Sequence, residues 1–284
     1  MNSLVSTEWL AEHLDDANIR IADASWYLPQ AGRNARAEYE AAHIPGAAFF
    51  DIDALSDRAT NLPHMLPAPE VFAANMAALG IGDDDLVVFY DGAGLYSAPR
   101  GLWMLRAMGH DRAVVLDGGL PKWRAEKRAL TNARTAISPA LFTPRLQTHL
   151  LRGFDQMRGN LGTASEQVVD ARSPTRFRGE EQEPRPGVRP GHIPASKNIH
   201  YAAVVEPSGT MLPPDCLRAL FAGHGIDLAQ PVVTTCGSGV TAAILSLALE
   251  RAGAERVALY DGSWAEWGGW HDAPITTGHE RRPK

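Results

Sequence analysis

The chain has 284 residues, about twice the usual size of one domain, so two domains with separate cores are expected. Its composition, 45% hydrophobic and 21% charged with 26 glycines and 20 prolines, excludes a disordered or collagen-like protein. The formal net charge of −6, from 33 acidic and 27 basic residues, argues against an extended nucleic-acid interface, which requires a basic surface.

The cysteine content and the apolar runs predict a cytoplasmic protein. Cys216 and Cys236 are too few for a disulfide framework, and their spacing offers no metal-binding pair, so a reducing compartment is expected. The amino-terminal stretch MNSLVSTEWLAEHLDD contains acidic residues and no long apolar core, unlike a signal or transit peptide. No run approaches the roughly 18 apolar residues of a membrane-spanning helix, so we expect a soluble protein without a membrane partner.

Short apolar runs along the chain predict buried strands, at 19–23, 86–90, 113–116, 168–171, 232–235 and 257–260. Longer segments between them have helical spacing, such as 97–108 and 241–252. Strands that alternate with helices predict the α/β class, with parallel sheets flanked by helices and right-handed crossovers.

The second half of the sequence repeats the first at an offset of about 145 positions, which is typical of two copies of one domain. HIPG at 43–46 returns as HIPA at 192–195, and LDGG at 116–119 returns as YDGS at 260–263. VVFYDGAGLYSA, from Val87, aligns with VVTTCGSGVTAA, from Val232. In this register Asp91 takes the position of Cys236, so only the second copy can use a thiol, and the site of the first is interpreted as degenerate.

The segment between the copies predicts a surface linker. Residues 135–145 contain Pro139 and Pro144 and lack a clear period. We therefore predict a non-catalytic domain over 1–134, a linker over 135–145 and a catalytic domain over 146–284.

Cys236 is the candidate nucleophile. It stands where a buried strand ends and a helix is about to begin, the place where parallel sheets bind ligands and where helix N–H groups favour anions. Gly237 and Gly239 would let the loop amides converge on one anion, which could be the thiolate itself. A lone cysteine is more often a small buried hydrophobe, but the loop and its glycines favour a reactive group. Cys216 has no such setting, and we expect it to be inert packing.

A phosphatase is disfavoured by one position. Cysteine phosphatases need an arginine six residues after the nucleophile to hold a phosphate dianion, and position 242 is alanine. The loop is better suited to stabilising a thiolate or a persulfide.

The loop CGSGVT at 236–241 resembles that of the tandem-domain rhodanese superfamily. The segments YEAAHIPGAAFF at 39–50 and VALYDGSWAEW at 257–267 are similar to its amino-terminal and carboxyl-terminal signatures, and the resemblance covers nearly the whole chain. Because the loop carries no cationic side chain, it looks like the mercaptopyruvate branch rather than the thiosulfate branch, where a compact dianion favours positive charges beside the cysteine. The resemblance implies two rhodanese-like α/β domains.

The resemblance also implies a set of substrate-binding residues. Matching motif to motif places the substrate-binding arginines at Arg176 and Arg185, where guanidinium groups could hold a carboxylate and a carbonyl oxygen; Arg178 and Arg189 are weaker candidates. The loop residues expected to contact the donor are Gly237, Gly239, Val240 and Thr241.

A relay from Asp53 through His64 to Ser238 is a further implication of the resemblance. His64, oriented by Asp53, would polarise Ser238 so that its hydroxyl acts on the substrate carbonyl. Alternatively, His64 is an ordinary loop residue and Asp53 a helix cap. The histidine of the HIP motif occurs in both copies, as His43 and His192, and its presence in the non-catalytic copy favours a scaffold role.

Trp264, Trp267 and Trp270 are interpreted as packing residues rather than as an aromatic binding platform.

The implied reaction is the transfer of sulfur from 3-mercaptopyruvate to a thiol, such as thioredoxin or a small thiol, or to cyanide, through a Cys236 persulfide, with release of pyruvate. No metal or organic cofactor is expected. The alternatives are a thiosulfate:cyanide sulfurtransferase and a persulfide carrier that does not turn over a small donor.

Overall fold

The computed structural model describes residues 3–278, and the chain divides into two compact units. The first unit comprises residues 1–58, 66–147 and 205–211, and the second comprises 59–65, 148–204 and 212–284. The short segment 59–65 therefore belongs to the second unit although it precedes most of the first in the sequence. The domain limits at 134 and 146 stay a prediction, because these units follow spatial contacts rather than the sequence repeat.

The first unit is built on a five-stranded sheet whose neighbouring strands run parallel. In chain order it contains β1 (Leu4–Val5), α1 (Thr7–Glu12), β2 (Ile19–Asp23), a 3₁₀ turn (Pro29–Ala31), α2 (Ala35–Ala41), β3 (Ala47–Phe49), α3 (Pro69–Ala78), β4 (Leu86–Tyr90), α4 (Ala98–Ala107), β5 (Ala113–Leu116) and α5 (Gly119–Ala125). The strand order across this sheet is β1-β5-β4-β2-β3.

The second unit contains the equivalent elements in the same order. They are a 3₁₀ turn (Thr148–Leu150), β6 (Leu151–Arg152), α6 (Phe154–Thr163), β7 (Gln167–Asp170), α7 (Pro174–Arg178), β8 (Lys197–Asn198), a 3₁₀ turn (Tyr201–Val204), α8 (Pro214–Gly223), β9 (Val232–Thr235), α9 (Ala242–Ala252), β10 (Val257–Tyr260) and α10 (Ser263–Trp267). Its parallel sheet has the order β6-β10-β9-β7-β8, the arrangement of the first unit repeated. The predicted α/β class, with two sheets flanked by helices, is confirmed.

The central strands form because continuous apolar runs are buried on both faces of a helix-covered parallel sheet. β4, β5, β9 and β10 are buried almost throughout. In the second unit, one face packs Val233 and Ala258 against Trp264 and Trp267. Five of the six predicted strands have the bounds of the structure, and the sixth, β7, begins and ends one residue earlier than predicted. The short strands β1, β3, β6 and β8 were missed because two or three residues give no recognisable period.

Candidate active site

Cys236 lies directly after β9, in a loop that ends where α9 begins at Ala242. This is the carboxyl end of the central strand, where ligands bind in open parallel sheets. Asp170 pairs with Thr235, so the residues that follow β7 start beside Cys236. The cysteine is buried, with 2% of its surface exposed.

Two glycines shape the loop for different reasons. Gly239 has φ +82°, a left-handed conformation that L side chains adopt at a cost. At Gly237 the reason is space, because a Cβ there would lie 3.1 Å from Nη2 of Arg176. The second glycine of the loop therefore allows the turn, and the first allows an arginine to approach the backbone.

The start of α10 supports the loop from behind. The backbone N–H groups of Trp264 and Ala265 donate to the carbonyl oxygens of Cys236 and Gly237, both at 2.9 Å. Ser263 Oγ accepts from the N–H of Cys236 at 3.3 Å and donates to the carbonyl of Tyr260 at 2.8 Å. The role of Ser263 as a support of the loop was not predicted, although this residue ends the repeated segment YDGS at 260–263.

The matching loop of the first unit holds an anion of its own. The Asp91 carboxylate accepts from the N–H of Ala93 through Oδ1 at 2.9 Å. Its Oδ2 accepts from the N–H groups of Tyr96, Ser97 and Ala98 at 2.8, 2.9 and 2.8 Å. This loop fold is therefore an anion receptor made of backbone amides, as its glycines and the helix that follows it predict.

His64 and Ser238 are brought together inside the second unit. Nδ1 of His64 and Oγ of Ser238 share a hydrogen bond of 2.9 Å, and both residues are buried. His64 has φ +61°, a strained conformation for a residue with a side chain. Asp53 belongs to the first unit, where its carboxylate accepts from Nε1 of Trp26 at 3.1 and 3.2 Å.

Arg176 is carried by α7, whose start is fixed by local sequence. Ser173 caps the helix by accepting from the N–H of Arg176, and Pro174 occupies its first turn. The Arg176 guanidinium lies over Gly237 and is paired with Glu183. Arg185 lies half-buried in the loop after Glu183, and its role stays a prediction.

The weaker arginine candidates have other contacts. Arg178 pairs with Glu180 at 2.6 Å, and Arg189 donates to the carbonyl oxygens of Gly268, Trp270 and Ala273. The contacts of Arg189 hold the segment after α10, which is a structural role.

Each of the two repeated histidines, His43 and His192, makes the same kind of contact inside its own unit. Nδ1 of His43 lies 2.7 Å from the carbonyl of Tyr39, and Nδ1 of His192 lies 2.7 Å from that of Phe177. The backbone of each forms an antiparallel bridge, to Thr131 and Thr276 respectively. Both histidines are buried, as a scaffold role requires.

Two packing expectations need correction. Trp264 and Trp267 are buried as predicted, but Trp270, which lies beyond the end of α10 and stacks on Phe154, is 49% exposed. Cys216 is exposed near the start of α8, so the expectation that it is a packing residue was wrong. Position 216 faces away from the apolar side of that helix, where Leu217 and Phe221 are buried.

Within residues 3–278, no cluster of three or more His, Cys, Asp or Glu side chains could hold a metal ion. No helix in the same range is long and apolar enough to cross a membrane.

The fold and the loop define a class of protein. A family model, that of the rhodanese-like domain, matches residues 6–126 and 154–269, and the chain belongs to this family with two copies of its domain.

Several proteins that are similar to this chain are sulfurtransferases. The 3-mercaptopyruvate sulfurtransferase of Homo sapiens is 45% identical over 93% of this chain and 91% of its own. Thiosulfate/3-mercaptopyruvate sulfurtransferase 1, mitochondrial, of Arabidopsis thaliana is 44% identical over 96% of this chain and 77% of its own. The crystal structure of SseA from Escherichia coli, described as a 3-mercaptopyruvate sulfotransferase with the rhodanese fold, superposes with a TM-score of 0.86 at 39% identity, over 93% of this chain and 99% of that one.

Proposed function

We propose that this chain is a 3-mercaptopyruvate sulfurtransferase that carries the sulfur as a Cys236 persulfide. The observation that carries the proposal is the position of Cys236 in a loop whose counterpart in the same chain binds an anion through its amides. A thiolate placed there has the environment that lowers the energy of a sulfur anion.

In the first half-reaction, the Cys236 thiolate attacks the sulfur of mercaptopyruvate. A sulfur–sulfur bond forms, the carbon–sulfur bond breaks, and its electron pair passes to carbon as pyruvate enolate. Protonation of the enolate at carbon gives pyruvate and leaves the persulfide on Cys236. No external oxidant or reductant is needed, because the two electrons lost by the two sulfur atoms stay with the donor carbon, which becomes the methyl group of pyruvate.

The hydrogen bonds of Asp91 indicate where the outer sulfur of the Cys236 persulfide would lie. In an aspartate, Oδ is joined to Cβ through one atom, as the outer sulfur of a cysteine persulfide is. By the repeat, the amides that bind Oδ2 of Asp91 correspond to those of Thr241, Ala242 and Ala243. These amides, with the amino terminus of α9, would stabilise the charge of the persulfide.

Ser238 would act on the donor carbonyl. Its hydroxyl can donate to the oxygen on which the enolate charge develops, and His64, at 2.9 Å, can exchange a proton with it. Asp53 stays a prediction as the third member of the relay.

The donor carboxylate and carbonyl would be bound by Arg176 and Arg185. The place of the Arg176 guanidinium above Gly237 supports this role, because it is next to the reacting cysteine. Gly239, Val240 and Thr241 would line the donor along the rest of the loop.

In the second half-reaction, a thiolate attacks the outer sulfur and Cys236 leaves as a thiolate. We propose thioredoxin or a small thiol as the acceptor and the cytoplasm as the compartment, the latter on the low cysteine content. The name of the Arabidopsis thaliana relative includes the word mitochondrial, so the mitochondrion is the alternative compartment. Cell fractionation distinguishes the two.

Thiosulfate is the second candidate donor, because the name of the Arabidopsis thaliana relative includes both donors. The loop side chains at 237–241 carry no positive charge, which favours the monoanionic mercaptopyruvate over the thiosulfate dianion. A persulfide carrier, the third candidate, would have little use for arginines that bind a donor carboxylate.

The test compares two donors on the wild type, Cys236→Ser and Cys216→Ser. We expect rapid pyruvate and sulfide release from mercaptopyruvate with a dithiol acceptor, weaker thiocyanate formation from thiosulfate and cyanide, and no activity in Cys236→Ser. Cys216→Ser is the matched control, because this exposed cysteine belongs to α8 and not to the loop, and it should retain full activity. A preference for thiosulfate would favour the second candidate; slow turnover of both donors with rapid loading from a protein persulfide would favour the carrier.

A further inference from the structure

Glu183 carries a buried carboxylate between two arginines of the second unit. Its Oε1 accepts from Nη1 of Arg172 at 2.7 Å, and its Oε2 accepts from Nη2 of Arg176. Nε of Arg176 lies 3.4 Å from Oε1. The Glu183 side chain is 3% exposed and that of Arg176 17%, so solvent and salt screen this contact only weakly.

The Arg172 side chain is held by contacts that do not involve Arg176. It pairs with Asp170 at 2.6 Å and donates to the carbonyl of Gly191 at 2.7 Å, and its guanidinium lies 4.4 Å from the ring of Trp264. Its side chain is fully buried. Glu183 therefore joins Arg176, which reaches the loop, to a rigid part of the unit.

The contact with Glu183 also selects which edge of Arg176 remains for a ligand. Glu183 takes Nε and Nη2, and leaves Nη1 for an incoming carboxylate. The guanidinium lies over Gly237, with Nη2 at 3.1 Å and Nη1 at 3.6 Å from the position that a Cβ would occupy. Without Glu183, this long side chain would have several rotamers, few of which keep Nη1 beside the loop.

The first unit contains the same arrangement built from different residues. Arg33 donates through Nε and Nη2 to Glu38 at 2.9 and 2.5 Å, and through Nη2 to the carbonyl of Gly92 at 3.2 Å. Gly92 is the counterpart of Gly237 in the repeat. Arg33 precedes α2, whereas Arg176 lies within α7, so the two arginines do not have equivalent positions in the repeat. Sequence duplication alone therefore does not explain why a glutamate holds an arginine over the loop in both units.

We propose that Glu183 is a positioning residue for donor binding: it anchors Arg176 to Arg172 and directs Nη1 of Arg176 toward the donor carboxylate. This inference rests on the proposed function, in which Arg176 binds that carboxylate.

The experiment measures KM and kcat for mercaptopyruvate in Glu183→Gln, with Glu180→Gln as the matched control. Glu180 pairs with the neighbouring Arg178 but is exposed. Loss of the anchor should raise KM by about tenfold and change kcat by less than about threefold, because the arginine must then be ordered by the donor itself. Glu180→Gln should leave both constants unchanged. Arg172 keeps its bond to Asp170 in the variant, so the unit should fold; if it does not, Glu183→Asp, which keeps the charge but shortens the reach, should raise KM in the same way.

A double-mutant cycle with Arg176→Ala separates positioning from a general structural effect. If Glu183 acts through Arg176, the Glu183→Gln change should have no further effect on KM once Arg176 is alanine. An unchanged KM in the single variant, or the same rise in both backgrounds, would overturn the proposal. If Arg176→Ala itself leaves KM unchanged, the assignment of Arg176 in the proposed function fails, and this inference fails with it.

Discussion

His64 and Ser238 are separated by 174 positions in the sequence, yet Nδ1 of the first lies 2.9 Å from Oγ of the second. Both belong to the second compact unit, because the segment 59–65 is part of that unit. Since His64 is held in a left-handed conformation that costs about 1–3 kcal/mol, the surrounding structure must fix it there.

Ser238→Ala should lower kcat/KM for mercaptopyruvate by about 10²-fold, because the carbonyl would lose its hydrogen-bond donor. His64→Asn should give a loss of the same order, and the double variant should lose little more, since the two residues act as one unit. The measurement is steady-state kinetics with mercaptopyruvate, with the exposed Ser208→Ala as control. Additive losses in the double variant would contradict the relay.

Cys236→Asp should be inactive and more stable to unfolding than Cys236→Ser, by about 1–3 kcal/mol, because a carboxylate would accept the loop amides as Asp91 does. The check is denaturant unfolding of both variants beside the wild type. An aspartate variant less stable than the serine variant would mean that the second loop is not preformed for an anion.

Asp91→Ala should destabilise the protein by about 2–4 kcal/mol, because four buried or half-buried amides lose their acceptor. Activity at a temperature where the variant is folded should be retained, since Asp91 has no part in the proposed chemistry. Thermal unfolding and kcat/KM measured on the same sample test both statements. A large loss of kcat/KM in the folded variant would give the first loop a catalytic role.

Gly237→Ala should raise KM with little change in stability, whereas Gly239→Ala should destabilise the loop by about 1–2 kcal/mol. The added methyl at 237 would press on the Arg176 guanidinium, 3.1 Å away. At 239 the backbone φ of +82° is one that a residue with a side chain adopts at a cost. Kinetics and thermal unfolding of the two variants distinguish these causes. The same changes in KM and in stability for both variants would contradict the separate roles of the two glycines.

Asp23 should make stability fall as the pH rises from about 4 to about 6. Burial raises the pKa of Asp23 from 3.8 to about 6, so the folded chain holds the proton more tightly than the unfolded chain does. The stabilising contribution of the bound proton is complete below pH 4 and is lost as the pH passes the folded value, about 3 kcal/mol in total. Unfolding of the wild type and Asp23→Asn across this range should show the variant gaining relative stability as the pH rises. A constant difference between the two curves would contradict the raised pKa.

The sequence by itself determined the α/β class, the repeat and the place of Cys236. Apolar runs such as Leu86–Tyr90 are typical of strands buried on both faces of a sheet, and the glycines that follow Cys236 at the end of a strand, Gly237 and Gly239, are visible in the chain. Only the tertiary structure decided that residues 59–65 join the second unit, that Glu183 links Arg176 to Arg172, and that Asp91 is bound by the amides of its own loop. The physical reason is that strands and turns are set by neighbouring residues, whereas these contacts depend on how distant segments pack, and no local period records that packing.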